Sequence, residues 1–90
     1  MTGRIYRRAI ELMEADIGEE MVALDEQTGA CFGFNGVAAD IWRLLRTPKS
    51  FEQLRDALLS DFDVSADECA SELRSLLDDM AEKGLIHEVA

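Results

Sequence analysis

The sequence predicts an α+β fold in which an N-terminal three-stranded antiparallel sheet precedes three helices. Alternating apolar residues with turn signals between them occupy the first third of the chain, and apolar residues at helical spacing occupy the rest. Between these regions, residues 32–45 pass from a strand into a helix within a few positions. A chain of 90 residues supports one domain with a modest core, which we expect to span residues 9–90.

Three short segments predict the strands of an antiparallel meander: residues 9–17, 21–24 and 30–34. The first is ambiguous between a short helix and a strand, and the alternation around Ile10 and Leu12 favours a strand. A turn at Gly18 joins the first two segments, and a hairpin loop ending at Gly29 joins the last two. The resulting sheet is small and local in sequence.

Residues 32–45 are the centre of the predicted fold. Phe32 and Phe34 lie two positions apart, so they share one face of the strand. Asn35 is a favourable N-cap for the helix that follows. The apolar stripe of that helix consists of Val37, Ala38, Ile41, Trp42, Leu44 and Leu45. We therefore expect this first helix to lie in the middle of the core.

Two further helices are predicted after Pro48, which cannot continue the first helix. They cover about residues 51–60 and 66–83, and Gly84 closes the last one before a short extended tail at 85–87. Two pairs have the spacing of a capping box: Ser50 with Gln53, and Ser65 with Glu68. The inward residues of the second helix should be Phe51, Leu54, Leu58 and Phe62. The stripe of the third helix is Ala66, Cys69, Ala70, Leu73, Leu76, Leu77 and Met80.

The charge of the chain is strongly negative, with a formal net value of -10. Residues 1–8 contain three arginines and no acid, and we expect them to form a loose basic lead-in of charge +3. The remaining residues hold 6 basic and 19 acidic side chains, a net charge of -13. Such a body repels phosphate backbones and anionic lipids. Its acidity is consistent with simple solubility or with steering of a basic or neutral polypeptide partner.

Three helices with a small sheet form a winged-helix-like arrangement, for which DNA binding is the first function to consider. The predicted third helix argues against it, because Arg74 and Lys83 are outnumbered by Asp67, Glu68, Glu72, Asp78, Asp79 and Glu82. A recognition helix that faces phosphates needs the opposite balance. We therefore expect no nucleic-acid partner.

Catalytic and metal chemistry also lack support in the sequence. There is one histidine, His87, and neither a nucleophile elbow nor a glycine-rich phosphate loop after a strand. Cys31 and Cys69 lie far apart without ligand-like spacing, and we expect both to be buried and His87 to lie at the surface. The N-terminus has no long apolar run. We expect a cytoplasmic protein without enzyme activity, metal or cofactor, and without a membrane partner.

The order and spacing of several motifs resemble the PqqD family. The resemblance covers residues 10–88 and is carried by residues 22–25, 28–29, 32–38, 41–45, 50–54, 76–80 and 84–86. Phe34 stands where the family usually has Leu before the Asn of the first helix, here Asn35. The family is known as the recognition element for the precursors of ribosomally synthesised, modified peptides.

The resemblance implies a non-catalytic, winged-helix-like domain that binds a leader peptide. The domain would present the precursor to a maturation enzyme, a leader peptidase in lasso-peptide synthesis or a radical enzyme in quinone cofactor maturation. In such domains the leader adds as an edge strand beside the third strand and against the third helix. The implied peptide-binding residues here are Ala30, Cys31, Phe32, Gly33, Phe34, Glu72, Leu73, Leu76 and Met80. Residues 30–34 contain no proline and no charge that would block an edge.

Two alternatives stay open at the level of sequence. The border of the third helix that faces the groove is either that of Glu72, Leu73 and Leu76, which we favour, or that of Ala70, Arg74, Leu77 and Ala81. The second alternative concerns function: the chain is a structural module that tethers an enzyme or forms a homodimer, without a peptide ligand. An exposed edge strand can pair with its own copy as readily as with a leader.

Overall fold

A computed structural model describes residues 4–61 and 63–89, in which six strands and three helices occur. In chain order these are β1 (Ile5–Arg8), β2 (Met13–Ile17), β3 (Glu20–Leu24), β4 (Cys31–Phe34), α1 (Gly36–Leu44), β5 (Lys49–Ser50), α2 (Phe51–Asp61), α3 (Ala66–Glu82) and β6 (Ile86–Val89). The predicted α+β class and the three helices are confirmed. The predicted inward position of Phe62 lies outside the described residues.

The predicted antiparallel meander is present as a sheet with the strand order β2-β3-β4. Its inner face packs on the core through Met21, Ala23 and Phe34, which are all buried. The loop between β3 and β4 closes at Gly29, whose φ of 77° is in the left-handed region that glycine adopts without strain. The first strand begins later than predicted, at Met13.

The prediction of a loose lead-in is wrong over residues 5–8. These residues form β1, the middle strand of a second sheet with the order β5-β1-β6. Tyr6 is buried there, and Arg8 pairs in register with Ile86. The predicted extended tail is thus β6, and the short strand β5 has no counterpart in the prediction. Pairing between two segments far apart in the chain leaves no local sequence pattern, which is why the sequence does not predict this sheet.

Trp42 lies at the centre of the core, with none of its surface exposed. Its ring stacks on Phe34 with 5.6 Å between the ring centroids. The guanidinium carbon of Arg8 lies 4.1 Å from the centroid of the Trp42 ring. The Arg8 side chain also donates to the Trp42 carbonyl and to Glu14, and Glu14 accepts from the indole N–H at 2.9 Å. Arg8 of β1 and Glu14 of β2 therefore connect the two sheets across α1.

Local capping interactions set the starts of the helices as predicted. The Asn35 side chain accepts a hydrogen bond from the Ala38 N–H at 2.9 Å. Ser50 and Gln53 form a reciprocal capping box, with bonds of 2.8 and 3.1 Å. At the start of α3 the Ser65 hydroxyl accepts from the Glu68 N–H, and the described residues contain no return bond from the Ser65 N–H to the Glu68 side chain, so the second predicted capping box is only half formed. Of the predicted inward residues of α2, Leu54 and Leu58 are buried and Phe51 is half-buried.

The two cysteines differ in exposure, which corrects the prediction for one of them. Cys69 is buried as expected, whereas Cys31 is exposed. Cys31 lies on the face of β4 opposite Phe34, and that face is turned away from the core. His87 is exposed, as predicted. None of the helices in the described part of the chain has the length and apolar character needed to cross a membrane.

Candidate functional site

A groove of about 360 Å³ lies between β4 and the C-terminal half of α3. All four residues of β4 line one wall. The other wall consists of Leu76, Asp79, Met80 and Lys83, whose spacing places them on one face of the helix. Asn35 and Ala38 at the start of α1, together with Leu85, complete the lining. The immediate passage from β4 into α1 therefore closes one end of the groove.

The backbone of β4 has a free edge toward this groove, since in the described part of the chain β4 is the last strand of its sheet. The Asp25 N–H donates to the Ala30 carbonyl at 2.8 Å, which marks a bonded pair of the β3–β4 ladder. Bonded and non-bonded pairs alternate along an antiparallel ladder. The N–H and C=O groups of Cys31 and Gly33 therefore point away from β3. A Cβ atom built on Gly33 would meet nothing within 4 Å, so the face of the sheet that Gly33 presents is also open.

The groove combines an apolar floor with a charged rim. Phe34, Ala38 and Met80 are buried in the floor, and Leu76 is half-buried beside them. On the rim, the Lys83 ammonium pairs with the Asp79 carboxylate at 2.9 Å, and both side chains are more than half exposed. The floor can therefore hold apolar side chains, and the rim presents one cation and one anion to a ligand.

Most of the residues that the resemblance implied come together in this groove. They are Cys31, Phe32, Gly33, Phe34, Leu76 and Met80. The border of α3 that contains Leu76 is the one that faces β4. Asp79 and Lys83 were not predicted, although they follow Leu76 at intervals of three and seven residues, the spacing that marks one helix face. Asn35, Ala38 and Leu85 were also missed, because only the packing of α1 and β6 brings them here.

Three implied residues lie elsewhere. Glu72 and Leu73 line a separate cavity of about 70 Å³. They are about one turn before Leu76, where the neighbours of α3 are Val37 of α1 and Leu58 of α2 instead of β4. Ala30 lies just before β4, and its carbonyl is bonded to Asp25.

The chemistry of the groove is that of binding surfaces. Within residues 4–61 and 63–89, no group of His, Cys, Asp and Glu side chains could hold a metal ion. The Cys31 thiol lies exposed at the strand edge, whereas burial raises the pKa of the Cys69 thiol and so disfavours its reactive thiolate. The two thiols of the chain therefore differ strongly in accessibility.

Comparisons with known proteins identify a family and similar solved structures. A family profile described as coenzyme PQQ synthesis protein D (PqqD) matches residues 20–86. A solved structure of TbiB1 in complex with the TbiA(beta) leader peptide is 32% identical, covers 93% of this chain and 98% of its own, and has a TM-score of 0.79. Lasso peptide synthetase B1 complexed with the leader peptide is 25% identical, with 91% and 96% covered and a TM-score of 0.73. No curated protein sequence matches. Because the profile spans well over half of the sequence, the chain belongs to the PqqD family.

Proposed function

We propose that this chain binds the leader segment of a ribosomally made precursor peptide as an additional strand beside β4. The outward N–H and C=O groups of Cys31 and Gly33, at the edge of an apolar groove, carry this proposal. An extended peptide placed there bonds to these groups through its own backbone. Two similar solved structures, at 32% and 25% identity, contain a bound leader peptide, which supports the same ligand class here.

Backbone pairing supplies affinity without sequence preference, so specificity has to come from the groove. Side chains of an added strand alternate between the two faces of the sheet. Every second side chain of the leader would therefore point toward Phe34, Leu76 and Met80, where apolar residues fit. The Asp79–Lys83 pair lies at the rim of the groove, where it can contact a polar side chain of the leader. A leader with apolar residues at alternate positions suits this arrangement.

In the proposed role this chain presents the precursor peptide, and a partner enzyme modifies or cleaves it. A strand edge, an apolar floor and one ion pair suit recognition better than bond-making chemistry. The maturation enzyme would be a leader peptidase or a radical enzyme, and the similarity to lasso peptide synthetase B1 favours the lasso-peptide type. The expected cytoplasmic location stays a prediction.

Thiol alkylation tests the site directly. In the folded chain, iodoacetamide should modify the exposed Cys31 and leave the buried Cys69 unmodified, as read by peptide mass spectrometry. A saturating concentration of the native leader peptide should slow Cys31 alkylation several-fold, because the added strand covers the edge. The urea-unfolded chain, in which both thiols react, is the control.

Two outcomes would contradict the proposal. Unchanged alkylation of Cys31 at a leader concentration that titration shows to be saturating would place the peptide elsewhere. Protection of Cys31 in a dimeric chain before any leader is added would favour the alternative, in which the β4 edge pairs with its own copy.

Leu76→Asp should weaken leader binding by about 1–3 kcal/mol, because it places a charge without a partner against the apolar floor. Leu76 is only half-buried, so we expect the variant to fold. Ala81→Asp adds the same charge at an exposed position of the same helix and is the matched control. Titration calorimetry on variants with native circular dichroism gives the affinities. Equal losses in both variants, or none in Leu76→Asp, would remove α3 from the site.

A further inference from the structure

Two basic segments that are far apart in sequence meet on one side of the molecule. Residues 4–8 contain three arginines, residues 43–49 contain two arginines and a lysine, and neither segment contains an acid. β1 pairs with β5, which places Tyr6 opposite Lys49 and brings the two segments together. The two segments hold six of the 9 basic residues of the chain, and the remaining residues hold 3 basic and 19 acidic side chains, a net charge of -16.

A cavity of about 430 Å³ opens in this region. We call it the basic pocket, and its main lining residues are Arg7, Arg8, Arg46, Ile10, Leu45 and Pro48. One carboxylate, that of Glu11, also lines it, so guanidinium groups outnumber carboxylates. The lining shares no residue with the groove between β4 and α3. The basic pocket and the groove can therefore be occupied at the same time.

Two of the three arginines are available to a ligand. Arg8 is committed to the fold through its bonds to Glu14 and the Trp42 carbonyl. The Arg46 side chain is 67% exposed. Among the described residues its one ion pair is with Glu14 at 3.8 Å, and Glu14 already accepts from Arg8 and the Trp42 indole. Arg7 is exposed and forms no ion pair with residues 4–61 or 63–89. Both guanidinium groups line the same cavity as Ile10, Leu45 and Pro48.

We propose that the basic pocket binds an acidic segment of the maturation enzyme, with carboxylates on Arg7 and Arg46 and an apolar side chain on Ile10, Leu45 and Pro48. Guanidinium groups form strong, directional hydrogen bonds with carboxylates. The net charge of -16 on the rest of the chain repels an extended phosphate polymer, so a short acidic peptide fits better than a nucleic acid. The enzyme as the source of this segment rests on the proposed function, whereas the chemistry of the pocket does not.

The test compares two double variants with the same change in charge. Arg7→Gln/Arg46→Gln alters the basic pocket, and Arg55→Gln/Arg74→Gln removes two arginines elsewhere. The affinity of the full chain, loaded with leader, is measured by titration against its partner maturation enzyme. The first variant should bind the enzyme at least about tenfold more weakly, and the control should stay within about twofold of the parent. Leader affinity should be unchanged in both.

The contrary outcomes distinguish a failure of this proposal from a failure of the proposed function. Parent-like enzyme binding by a folded Arg7→Gln/Arg46→Gln variant, or an equal loss in the control, would show that the pocket is not the contact. Binding of a single-stranded oligonucleotide that depends on the same two arginines would assign the pocket to nucleic acid, and self-association that depends on them would assign it to a second copy. A parent chain that binds the enzyme through these arginines but binds no leader would overturn the proposed function and leave the pocket in place.

Discussion

Gly33→Pro is expected to abolish leader binding in a chain that still folds. Proline has no N–H, so it cannot donate the backbone hydrogen bond by which an added strand would be held at this position. The Gly33 N–H points away from β3, and its loss leaves the β3–β4 ladder intact. Proline is tolerated on an edge strand when its N–H position faces outward. The substitution should therefore abolish leader binding without unfolding the chain.

Matched variants separate the loss of the N–H from the loss of glycine. Gly33→Ala keeps the N–H, and its added Cβ meets nothing within 4 Å, so it should bind like the parent. Cys31→Pro should behave like Gly33→Pro, because the two residues share one direction of bonding. Phe32→Pro instead removes a bond to β3 and should damage folding. Circular dichroism checks the fold, and calorimetry with the native leader measures the affinity.

The result that would contradict strand addition is specific. If Gly33→Pro and Cys31→Pro both fold and both bind the leader like the parent, the peptide does not use the edge of β4. The tethering or dimerisation alternative would then become the better account of the exposed edge.

Trp42→Ala should lower the free energy of unfolding by about 3–5 kcal/mol, the usual cost of removing a large buried aromatic side chain. The ring is fully buried and stacked on Phe34. Its removal also leaves Glu14 without the indole donor and Arg8 without the ring beneath its guanidinium. A small domain has only about 5–15 kcal/mol of stability, so the loss is a large fraction of the total.

Trp42→Phe is the control, since it keeps an aromatic ring on Phe34 and removes the indole N–H that Glu14 accepts. We expect its loss to be the smaller of the two. Urea denaturation followed by circular dichroism is the suitable measurement, because Trp42 is the single tryptophan and fluorescence disappears with it. A loss below about 1 kcal/mol for Trp42→Ala would mean that the ring contributes little to the core.

The sequence by itself determined the features that depend on neighbours within a few residues. Asn35 caps α1 through a bond to Ala38, and Ser50 and Gln53 form their capping box at the start of α2. Gly29 closes its hairpin at positive φ. Each interaction spans two to four residues, so spacing alone identifies it. The strand at 30–34 and its lack of blocking charge were likewise apparent from sequence.

Only the tertiary structure decided the features that depend on elements far apart in the chain. β1 pairs with β6 across about eighty residues, so the sequence around Arg8 does not predict its position beside Trp42. Strand alternation shows that Cys31 and Phe34 lie on opposite faces, but only packing decides which face is covered. The same holds for α3, where Leu76 faces β4 and Glu72 does not. Local periodicity specifies which residues share a face, and the choice of partner for that face is made by the burial of the whole chain.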